Sequence, residues 1–436
     1  MPSRIHRAAL AALVAAPFLA CPGLAAARVE LGAKAGEADV TIGCMFPMTG
    51  RSAIYGRDSI GGIRVALAHI AAEQGGAAPR LRVLVDDDHS KASYAVRLAE
   101  NYIRHDGARF LCGIVSSGVA EAVSQVAARR EVILVGTDHA SSRLAIEEGH
   151  HHYFRLSNDT YSSMAAGARY LTELQRRSPW RRVAFIGSDY DYGHVSLADL
   201  RANLDRLGTR YELVGEFWPK LYEPDYSSYI QAILRTKPDV VVAALWGGDF
   251  VAFLRQAAAA DLPRHARLAN FDTGGNYDVM VSLGAEPPPG LILSARHHNN
   301  WPETPLNRWF VETFHQLEGR YPTYAAEGAY SGIVAIAEAV RRAGGTRDLE
   351  ALVRALEGMR LELPEDPPGF ASTIDPETHQ VRQMQAVGEV VPDPHFPPAR
   401  VMLGHWVVYG ADEVSPPPDL LRARRAGPAQ ARNVSW

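Results

Sequence analysis

Apolar residues recur along this chain with two alternating periods. Short, nearly continuous apolar runs are followed by longer segments in which apolar residues return every three or four positions. Residues 110–117 show this clearly, because an apolar run there ends in small hydroxyl residues and a helical pattern starts at once. A run of this kind, bounded by Gly and Ser, is typical of a strand buried on both faces of a parallel sheet.

The same rhythm predicts two series of βα units. The first series has strands at 40–46, 81–85, 110–117 and 132–135, with helices at 61–72 and 94–105 between them. The second has strands at 183–186, 214–217, 240–245 and 267–271, with helices at 162–174, 197–207, 226–234 and 250–259. Strands that alternate with helices of this length indicate parallel α/β sheets. Two series in 436 residues indicate two domains.

The end of the strand at 110–117 is the first candidate binding site. Open α/β sheets bind ligands at the carboxyl ends of their strands, and helix N-terminal amides attract anionic groups. Ser117 would present its hydroxyl there. The alternative is that Ser116 and Ser117 only cap the following helix, which Ser does well. On this segment alone we favour the cap.

The chain begins with a basic segment, an apolar run at 8–20 and a small-residue stretch that ends at Ala27. This is the pattern of a secretory signal that is cleaved near Ala27. Cys21 lies in a sequence that partly matches a lipoprotein cleavage site, but Pro22 follows it, and we favour the secretory signal. No later segment is apolar for long enough to cross a membrane. We therefore predict an exported, periplasmic protein.

Composition and motifs exclude several classes of function. The net charge of −4 gives no electrostatic basis for nucleic-acid binding. Cys44 and Cys112 each lie in a predicted buried strand, and we expect free buried thiols rather than a disulfide. Neither a phosphate loop nor a dinucleotide motif follows a strand, and Ser117 is not in a nucleophile elbow. We predict no catalytic residues and no cofactor.

Clusters of potential metal ligands occur at 86–89, 150–152 and 297–298. The two histidine runs lie near predicted connections between the domains and would bind a metal if the fold joined them. Solvated loop histidines are the more frequent case, and an acidic strand end that faces solvent is the simpler interpretation of 86–88. We therefore predict no metal site.

Several local motifs resemble those of one family of proteins. They include Pro-Met-Thr-Gly at 47–50, Cys-Gly-Ile-Val-Ser-Ser at 112–117, Gly-Ser-Asp-Tyr-Asp-Tyr-Gly at 187–193, Lys-Pro-Asp-Val-Val at 237–241, Ala-Ala-Glu-Gly-Ala-Tyr at 325–330 and Thr-Ile-Asp-Pro-Glu-Thr-His at 373–379. Their order and spacing resemble the type I periplasmic substrate-binding proteins of ABC importers for branched-chain amino acids, amides and urea. The last motif is more similar to the amide and urea branch.

This resemblance implies two Rossmann-like α/β lobes with parallel sheets, joined by a hinge of three crossovers. The crossovers would lie near 155–158, 290–296 and 366–371. We expect a signal peptide at 1–27, a first lobe of 38–155 and 291–365, a second lobe of 156–290 and 366–412, and a disordered tail at 413–436.

The resemblance also implies the ligand-binding residues. They are Tyr55, Ser117, Asp138, Ser141, Tyr192, Trp246 and Asp272. Ser117 matches the serine that holds a ligand carboxylate, while Asp138 stands where the family has a small residue. Trp246 and Asp272 each follow a predicted strand and suit a cationic or amine-bearing ligand. The alternatives are core packing for Trp246 and a cap or turn for Asp272.

These expectations give three hypotheses of function. The first is a monomeric periplasmic binding protein that captures an amino acid, amide, urea or related amine and delivers it to an ABC permease in the inner membrane. The second is a periplasmic sensor on the same fold that signals to a receptor or regulator. The third is an α/β hydrolase, which the missing nucleophile elbow disfavours. Fold alone does not choose among them.

Overall fold

The computed structural model describes residues 28–74 and 78–427. The predicted secretory signal lies outside these residues, as does the end of the tail at 428–436. Strands and helices alternate through the described ranges, and the α/β prediction is confirmed. Within these ranges, no helix combines the length and the apolar composition needed to cross a bilayer.

Residues 29–155 form the first sheet and its helices. The elements are β1 (Val29–Gly32), β2 (Val40–Phe46), α1 (Ala53–Gln74), β3 (Leu81–Asp87), α2 (Ala92–Arg104), β4 (Phe110–Gly113), α3 (Ser117–Arg130), β5 (Ile133–Gly136), α4 (Arg143–Ile146) and β6 (Tyr153–Arg155). The sheet order is β1-β3-β2-β4-β5-β6, and only the edge strand β1 is antiparallel to its neighbour. Every residue of β4 and β5 is buried, as expected for parallel strands covered by helices on both faces.

Residues 160–293 repeat this pattern. The elements are α5 (Thr160–Arg177), β7 (Arg182–Gly187), α6 (Asp191–Arg206), β8 (Glu212–Phe217), α7 (Ser227–Thr236), β9 (Val240–Ala244), α8 (Gly247–Ala259), α9 (Leu262–His265), β10 (Arg267–Asn270), α10 (Tyr277–Leu283) and β11 (Leu291–Leu293). Asp159 caps α5 by accepting a hydrogen bond from the Ser162 amide. The strand order β8-β7-β9-β10-β11 matches the order β3-β2-β4-β5-β6 of the first sheet.

The chain then returns to the first sheet. Three helices follow, α11 (Pro305–Glu318), α12 (Tyr324–Ala343) and α13 (Leu349–Leu356). α12 lies directly against α1: a Cβ at Gly62 would stand 1.9 Å from the Ala326 carbonyl oxygen, so only glycine permits this approach. We placed residue 291 at the start of this first-lobe segment, and this boundary is corrected. β11 lies in the second sheet between β10 and an antiparallel strand, and the crossing comes after it.

A third crossing completes the second sheet. β12 (Arg360–Leu361), β13 (Ser372–Ile374) and β14 (Val381–Arg382) form a small sheet, and β15 (Gln385–Pro392) and β16 (Val401–Tyr409) then join the second sheet as antiparallel strands. Each lobe therefore has a point at which the strand order reverses, between β2 and β4 and between β7 and β9. Open α/β sheets bind ligands at the carboxyl ends of the strands there.

A disulfide links Cys44 and Cys112, so the expectation of free thiols was wrong. The two residues are direct partners in the parallel register of β2 and β4, with Cα atoms 4.4 Å apart. This separation lies within the range that a disulfide spans. The bond joins the two strands whose carboxyl ends carry the first lobe's side of the cleft.

The predicted disorder of the tail is also corrected for residues up to 427. These residues form α14 (Ala411–Val414) and α15 (Pro418–Ala426). Proline begins α15, where its missing amide proton costs nothing, and Leu421 is buried. Arg424 of α15 forms ion pairs with Glu147 and Asp199. The helix is therefore docked on the body of the protein.

Candidate functional site

Three of the predicted site residues lie at the carboxyl ends of the first sheet. Ser117 is the first residue of α3, after β4, and Asp138 and Ser141 lie in the loop after β5. The Ser117 hydroxyl accepts a hydrogen bond of 3.2 Å from the Ser141 amide. Ser116 occupies the cap position of α3 without a capping side-chain bond. The cap interpretation was therefore wrong, and Ser117 instead orders the loop after the next strand.

Three more predicted residues lie at the carboxyl ends of the second sheet. Tyr192 is in the first turn of α6, Trp246 precedes α8, and Asp272 follows β10. The Tyr192 hydroxyl donates to Asp272 Oδ2 at 2.9 Å. The Trp246 indole N–H donates to the Tyr190 hydroxyl at 2.9 Å. Trp246 is buried, as core packing predicts, but it also faces the other lobe.

Arg296 joins the two groups, and the sequence analysis did not identify it as a site residue. Its Nε and Nη2 donate to the two carboxylate oxygens of Asp272, at 3.0 and 2.7 Å. Its Nη1 donates to Asp138 Oδ1 at 3.0 Å and also to the Asp138 carbonyl oxygen. The guanidinium lies 4.7 Å from the centre of the Tyr324 ring, which adds a cation–π contact.

The two carboxylates respond differently to the same arginine. Burial raises the pKa of Asp138 to about 7, against the opposing attraction of Arg296. Burial acts in the same direction on Asp272, but the ion pair with Arg296 and hydrogen bonds from Tyr192 and Ser163 outweigh it and lower its pKa. The cluster of Arg296, Asp138 and Asp272 therefore carries a net charge between −1 and 0. The buried guanidinium of Arg296 therefore balances most of the negative charge of Asp138 and Asp272.

Aromatic rings form the wall between the lobes. Tyr55 of α1 lies with its ring centre 5.9 Å from that of Trp246 and 5.4 Å from that of Tyr324, on which it stacks. The Tyr55 hydroxyl donates to Asp278 Oδ2 at 3.3 Å and accepts from Asn276 at 3.3 Å. Because Tyr55 belongs to the first lobe and these polar partners to the second, the lobes are closed on each other at this wall.

Several buried polar atoms at these strand ends have no hydrogen-bond partner among the described residues. They include Oγ1 of Thr137, Oδ2 of Asp138 and Oγ of Ser141 after β5, and Oγ of Ser188 after β7. An unsatisfied buried polar atom costs roughly 1–3 kcal/mol, so native proteins keep few of them without a reason.

Contacts through Arg296 and Tyr324 join five of the seven predicted residues, which are Tyr55, Asp138, Tyr192, Trp246 and Asp272. Ser117 and Ser141 contact each other, and Ser141 lies three residues after Asp138 in the same loop. Tyr324 directly precedes the motif at 325–330, and this position was the signal in the sequence that could have identified it. The signal for Arg296 was an arginine at a strand end within a predicted crossover. A charged side chain at a buried connection needs partners, and two unpaired acids were already predicted nearby.

Two other predictions about polar clusters change. Asp87 and Asp88 are buried rather than solvent-facing. Asp87 accepts hydrogen bonds from the Met48 amide at 3.0 Å and the Thr49 hydroxyl at 2.8 Å, so it holds the loop after β2 in place. His297 and His298 are buried as well, and His297 hydrogen-bonds Asn307 at 2.7 Å. They are therefore part of the packed interior.

The chain is similar to proteins of known class. Leu/Ile/Val-binding protein BraC3 of Rhizobium johnstonii is 25% identical over 322 residues, which cover 74% of this chain and 84% of the relative. An amino acid ABC transporter substrate-binding protein of Pseudomonas fluorescens Pf-5 superposes with a TM-score of 0.75 at 23% identity, covering 88% and 98% of the two chains. An ABC transporter solute-binding protein of Rhodopseudomonas palustris BisB5, solved with 3,4-dihydroxybenzoic acid, gives 0.74 at 22% identity, covering 85% and 97%.

A family model described as "Periplasmic binding protein" matches residues 39–393, which is most of the described chain. The matched region contains most of both lobes, the three crossings and every residue of the candidate site, and leaves out the edge strands β1 and β16. The fold, with its repeated strand order and a closed cleft at the strand ends, agrees with this match. The chain therefore belongs to the periplasmic binding protein family.

Proposed function

We propose that this protein captures a small polar organic ligand in the cleft between its lobes and delivers it to an ABC permease in the inner membrane. The observation that carries the proposal is the buried cluster of Arg296, Asp138 and Asp272, which closes both lobes around atoms that still lack partners. Binding stabilises the closed form, and the permease recognises that form.

An amino acid or an amide is the first candidate ligand. A cluster with a net charge between −1 and 0 favours a ligand that is neutral or zwitterionic over one with a full negative charge. The Ser141 hydroxyl can donate or accept a hydrogen bond, and Asp138 Oδ2 accepts one when ionised. The similarity to Leu/Ile/Val-binding proteins supports this class. A simple amine is less well supported, because Arg296 already donates to both carboxylate oxygens of Asp272.

An aromatic acid is the second candidate. The rings of Tyr55, Trp246 and Tyr324 form an apolar wall beside the charged cluster. A neighbour in structure was solved with 3,4-dihydroxybenzoic acid. Because the pKa of Asp138 is raised to about 7, its protonated form can donate to a carboxylate near neutral pH. Binding of an aromatic acid should therefore weaken as the pH rises above 7, whereas binding of an amide should not.

A thermal-shift screen of residues 28–436 tests the proposal. The panel contains branched-chain and polar amino acids, aliphatic amides, urea, polyamines, and benzoic and hydroxybenzoic acids. A ligand of the folded state raises the melting temperature by mass action. We expect a rise within the amino-acid and amide group or within the aromatic acids, confirmed by calorimetry at pH 6 and 8. Stabilisation by polyamines alone would contradict the charge-balanced site.

Delivery to a permease requires a test in cells. Export to the periplasm and cleavage near Ala27 belong to the same proposal, and N-terminal sequencing of the exported protein tests them. Uptake of the ligand found in the screen should fall when the chain is deleted. It should also fall when the chain is replaced by a Ser141→Ala variant that folds but binds weakly. Unchanged uptake would leave ligand binding intact and would contradict the transport role.

A further inference from the structure

A second group of potential ligands lies far from the cleft, at the base of the first lobe. His151 and His152 form the turn before β6, and Glu350 lies in the first turn of α13. One ligand atom from each of the three lies within 4.8 Å of the others. His151 Nε2 is 2.9 Å from Glu350 Oε2, although 199 positions separate the two residues. The fold, and not the local sequence, assembles this group.

Neighbouring contacts hold the turn so that His151 and His152 are available. His150 is fixed by its Nε2, 2.8 Å from the Ser124 hydroxyl, and its Nδ1 accepts from the His152 amide at 3.2 Å. His379 lies near His151, but its ring nitrogens contact the Tyr153 carbonyl at 3.1 Å and Glu357 at 3.2 Å. The His152 ring nitrogens have no hydrogen bond to any residue in the described ranges. Neighbouring residues thus anchor the backbone of the turn and leave the imidazole rings of His151 and His152 free to rotate.

The chemistry of the group suits one class of ion. Two imidazoles and one carboxylate are a ligand set that binds Zn²⁺, with water in a fourth tetrahedral position. Bond lengths of about 2.0–2.2 Å to nitrogen and oxygen place ligand atoms about 3–3.5 Å apart. Small rotations of the exposed His151 and Glu350 and the half-buried His152 would close the set. The hard cations Mg²⁺ and Ca²⁺ prefer oxygen ligands and fit poorly.

We propose that His151, His152 and Glu350 form a binding site for a divalent transition-metal ion of the zinc class. The ion would fasten the turn before β6 to α13 and so tie together two distant parts of the first lobe. This site is separate from the cleft and does not depend on the ligand proposed for it. It revises the prediction from sequence, which placed no metal at these histidines.

The test is zinc titration of untagged residues 28–436 by calorimetry, because an affinity tag would itself bind zinc. We expect one equivalent of Zn²⁺ to be lost, or its affinity to fall at least tenfold, in each of His151→Ala, His152→Ala and Glu350→Gln. Titration with Co²⁺ should give the visible absorption of a tetrahedral site in the parent and not in these variants. Zinc should also raise the melting temperature of the parent more than that of His151→Ala.

His395→Ala is the matched control. His395 Nδ1 lies 2.8 Å from Asp393 Oδ1, so the two form a histidine–carboxylate pair like that of His151 and Glu350. Among the described residues, no third ligand comparable to His152 lies beside this pair. Zinc binding by this variant should equal that of the parent. If the three site variants bind zinc like the parent, or if His395→Ala loses as much as they do, binding is adventitious and the proposed site is wrong.

Discussion

Each wall of the cleft contributes a carboxylate that binds Arg296, but the two carboxylates differ in how many hydrogen bonds they accept. In the second lobe's wall, Asp272 receives two bonds from Arg296 and one each from Tyr192 and Ser163. In the first lobe's wall, Asp138 receives its side-chain contact from Arg296 through one oxygen, and its other oxygen has no partner among the described residues. The neighbouring Ser141 hydroxyl is unpartnered in the same sense.

This difference suggests separate tasks for the two walls. A carboxylate with four hydrogen bonds is a structural acceptor that fixes Arg296 in the closed cleft. A buried carboxyl group with a free oxygen and a raised pKa is poised to bind a further polar group. The first wall is also the one that the Cys44–Cys112 disulfide supports from behind. We therefore expect changes in the second wall to affect stability most, and changes in the first wall to affect ligand binding most.

Removing the charge of Asp272 is expected to give the largest effect. In Asp272→Asn, Arg296 would remain buried with only Asp138, whose pKa is about 7, to balance its charge. Breaking a buried ion pair in this way costs about 3–5 kcal/mol. The free energy of unfolding, measured by urea titration without ligand at pH 7, should fall by that amount.

Asp138→Asn is the matched comparison for this variant. It removes a carboxyl group whose ionisation is already opposed by burial, and Arg296 keeps its two bonds to Asp272. Its free energy of unfolding at pH 7 should equal or exceed that of the parent. Equal losses in the two variants would show that both walls hold the arginine alike, and the proposed division would be wrong.

The pH dependence of stability separates the walls further. The pKa of Asp138 is about 7 in the folded protein and about 3.9 in an unfolded chain, so the folded state binds the extra proton. The stabilisation of the folded state by this proton is fully present below pH 4 and is lost as the pH rises through 7. Relative to Asp138→Asn, the parent should lose up to a few kcal/mol across this window.

Melting curves of the parent and Asp138→Asn between pH 4 and 8 provide this measurement. The difference between the two proteins is the relevant quantity, because burial also raises the pKa of Asp88, Asp199 and Asp278, and these groups are common to both. The pH dependence that Asp272 contributes has the opposite sign. Its pKa is lowered in the folded protein, so the stabilisation that it provides is lost as the pH falls. A parent-minus-variant difference that does not change with pH would contradict a raised pKa for Asp138.

Much of this arrangement follows from sequence, and the failures have identifiable causes. The alternation of short apolar runs and helical segments determines the α/β class, and the strand ends place Asp138 and Asp272 at the carboxyl edges of the two sheets. The partners of a residue depend on which strands are neighbours, which chain order does not give. Cys44 and Cys112 are 68 positions apart and pair because β2 and β4 are adjacent in register. Arg296 was missed for the same reason, since both of its acids lie on other strands.

The docked tail was missed for a different reason. Its composition of Pro and Arg is typical of disorder. The segment at 418–426 nevertheless begins with proline at a helix start and carries two leucines that pack inward, the buried Leu421 and the partly buried Leu420. Arg424 also forms ion pairs with Glu147 and the buried Asp199, and composition does not reveal such partners.

Ser141→Ala tests the first wall directly. The Ser141 hydroxyl has no partner in the described chain, so its removal should leave the free energy of unfolding unchanged or slightly higher. If the hydroxyl binds the ligand, affinity should fall by roughly tenfold, the equivalent of about 1.4 kcal/mol for a lost hydrogen bond. Isothermal calorimetry with the ligand from the screen measures this change.

Ser163→Ala is the corresponding variant in the second wall. The Ser163 hydroxyl donates to Asp272 at 3.0 Å and accepts from Asn158 at 2.9 Å. Its removal should lower the free energy of unfolding by about 1 kcal/mol and change affinity less than Ser141→Ala does. If Ser163→Ala weakens binding more than Ser141→Ala, the ligand's polar groups bind the second wall instead.

Arg424→Ala is expected to give the smallest effect. This variant tests whether Arg424 helps to hold the first lobe against the second. Arg424 contacts Glu147, after α4 in the first lobe, at 2.7 Å and Asp199, on α6 of the second lobe, at 2.9 Å. Its loss should favour lobe opening by about 1 kcal/mol or less and raise the ligand dissociation rate up to fivefold. Arg206→Ala is the control, because Arg206 pairs with Asp419 at 3.1 Å and ties α15 to the second lobe alone. Stopped-flow dissociation should be unchanged in that variant. Equal acceleration in both variants would mean that docking of α15 itself, and not the bridge between lobes, holds the cleft closed.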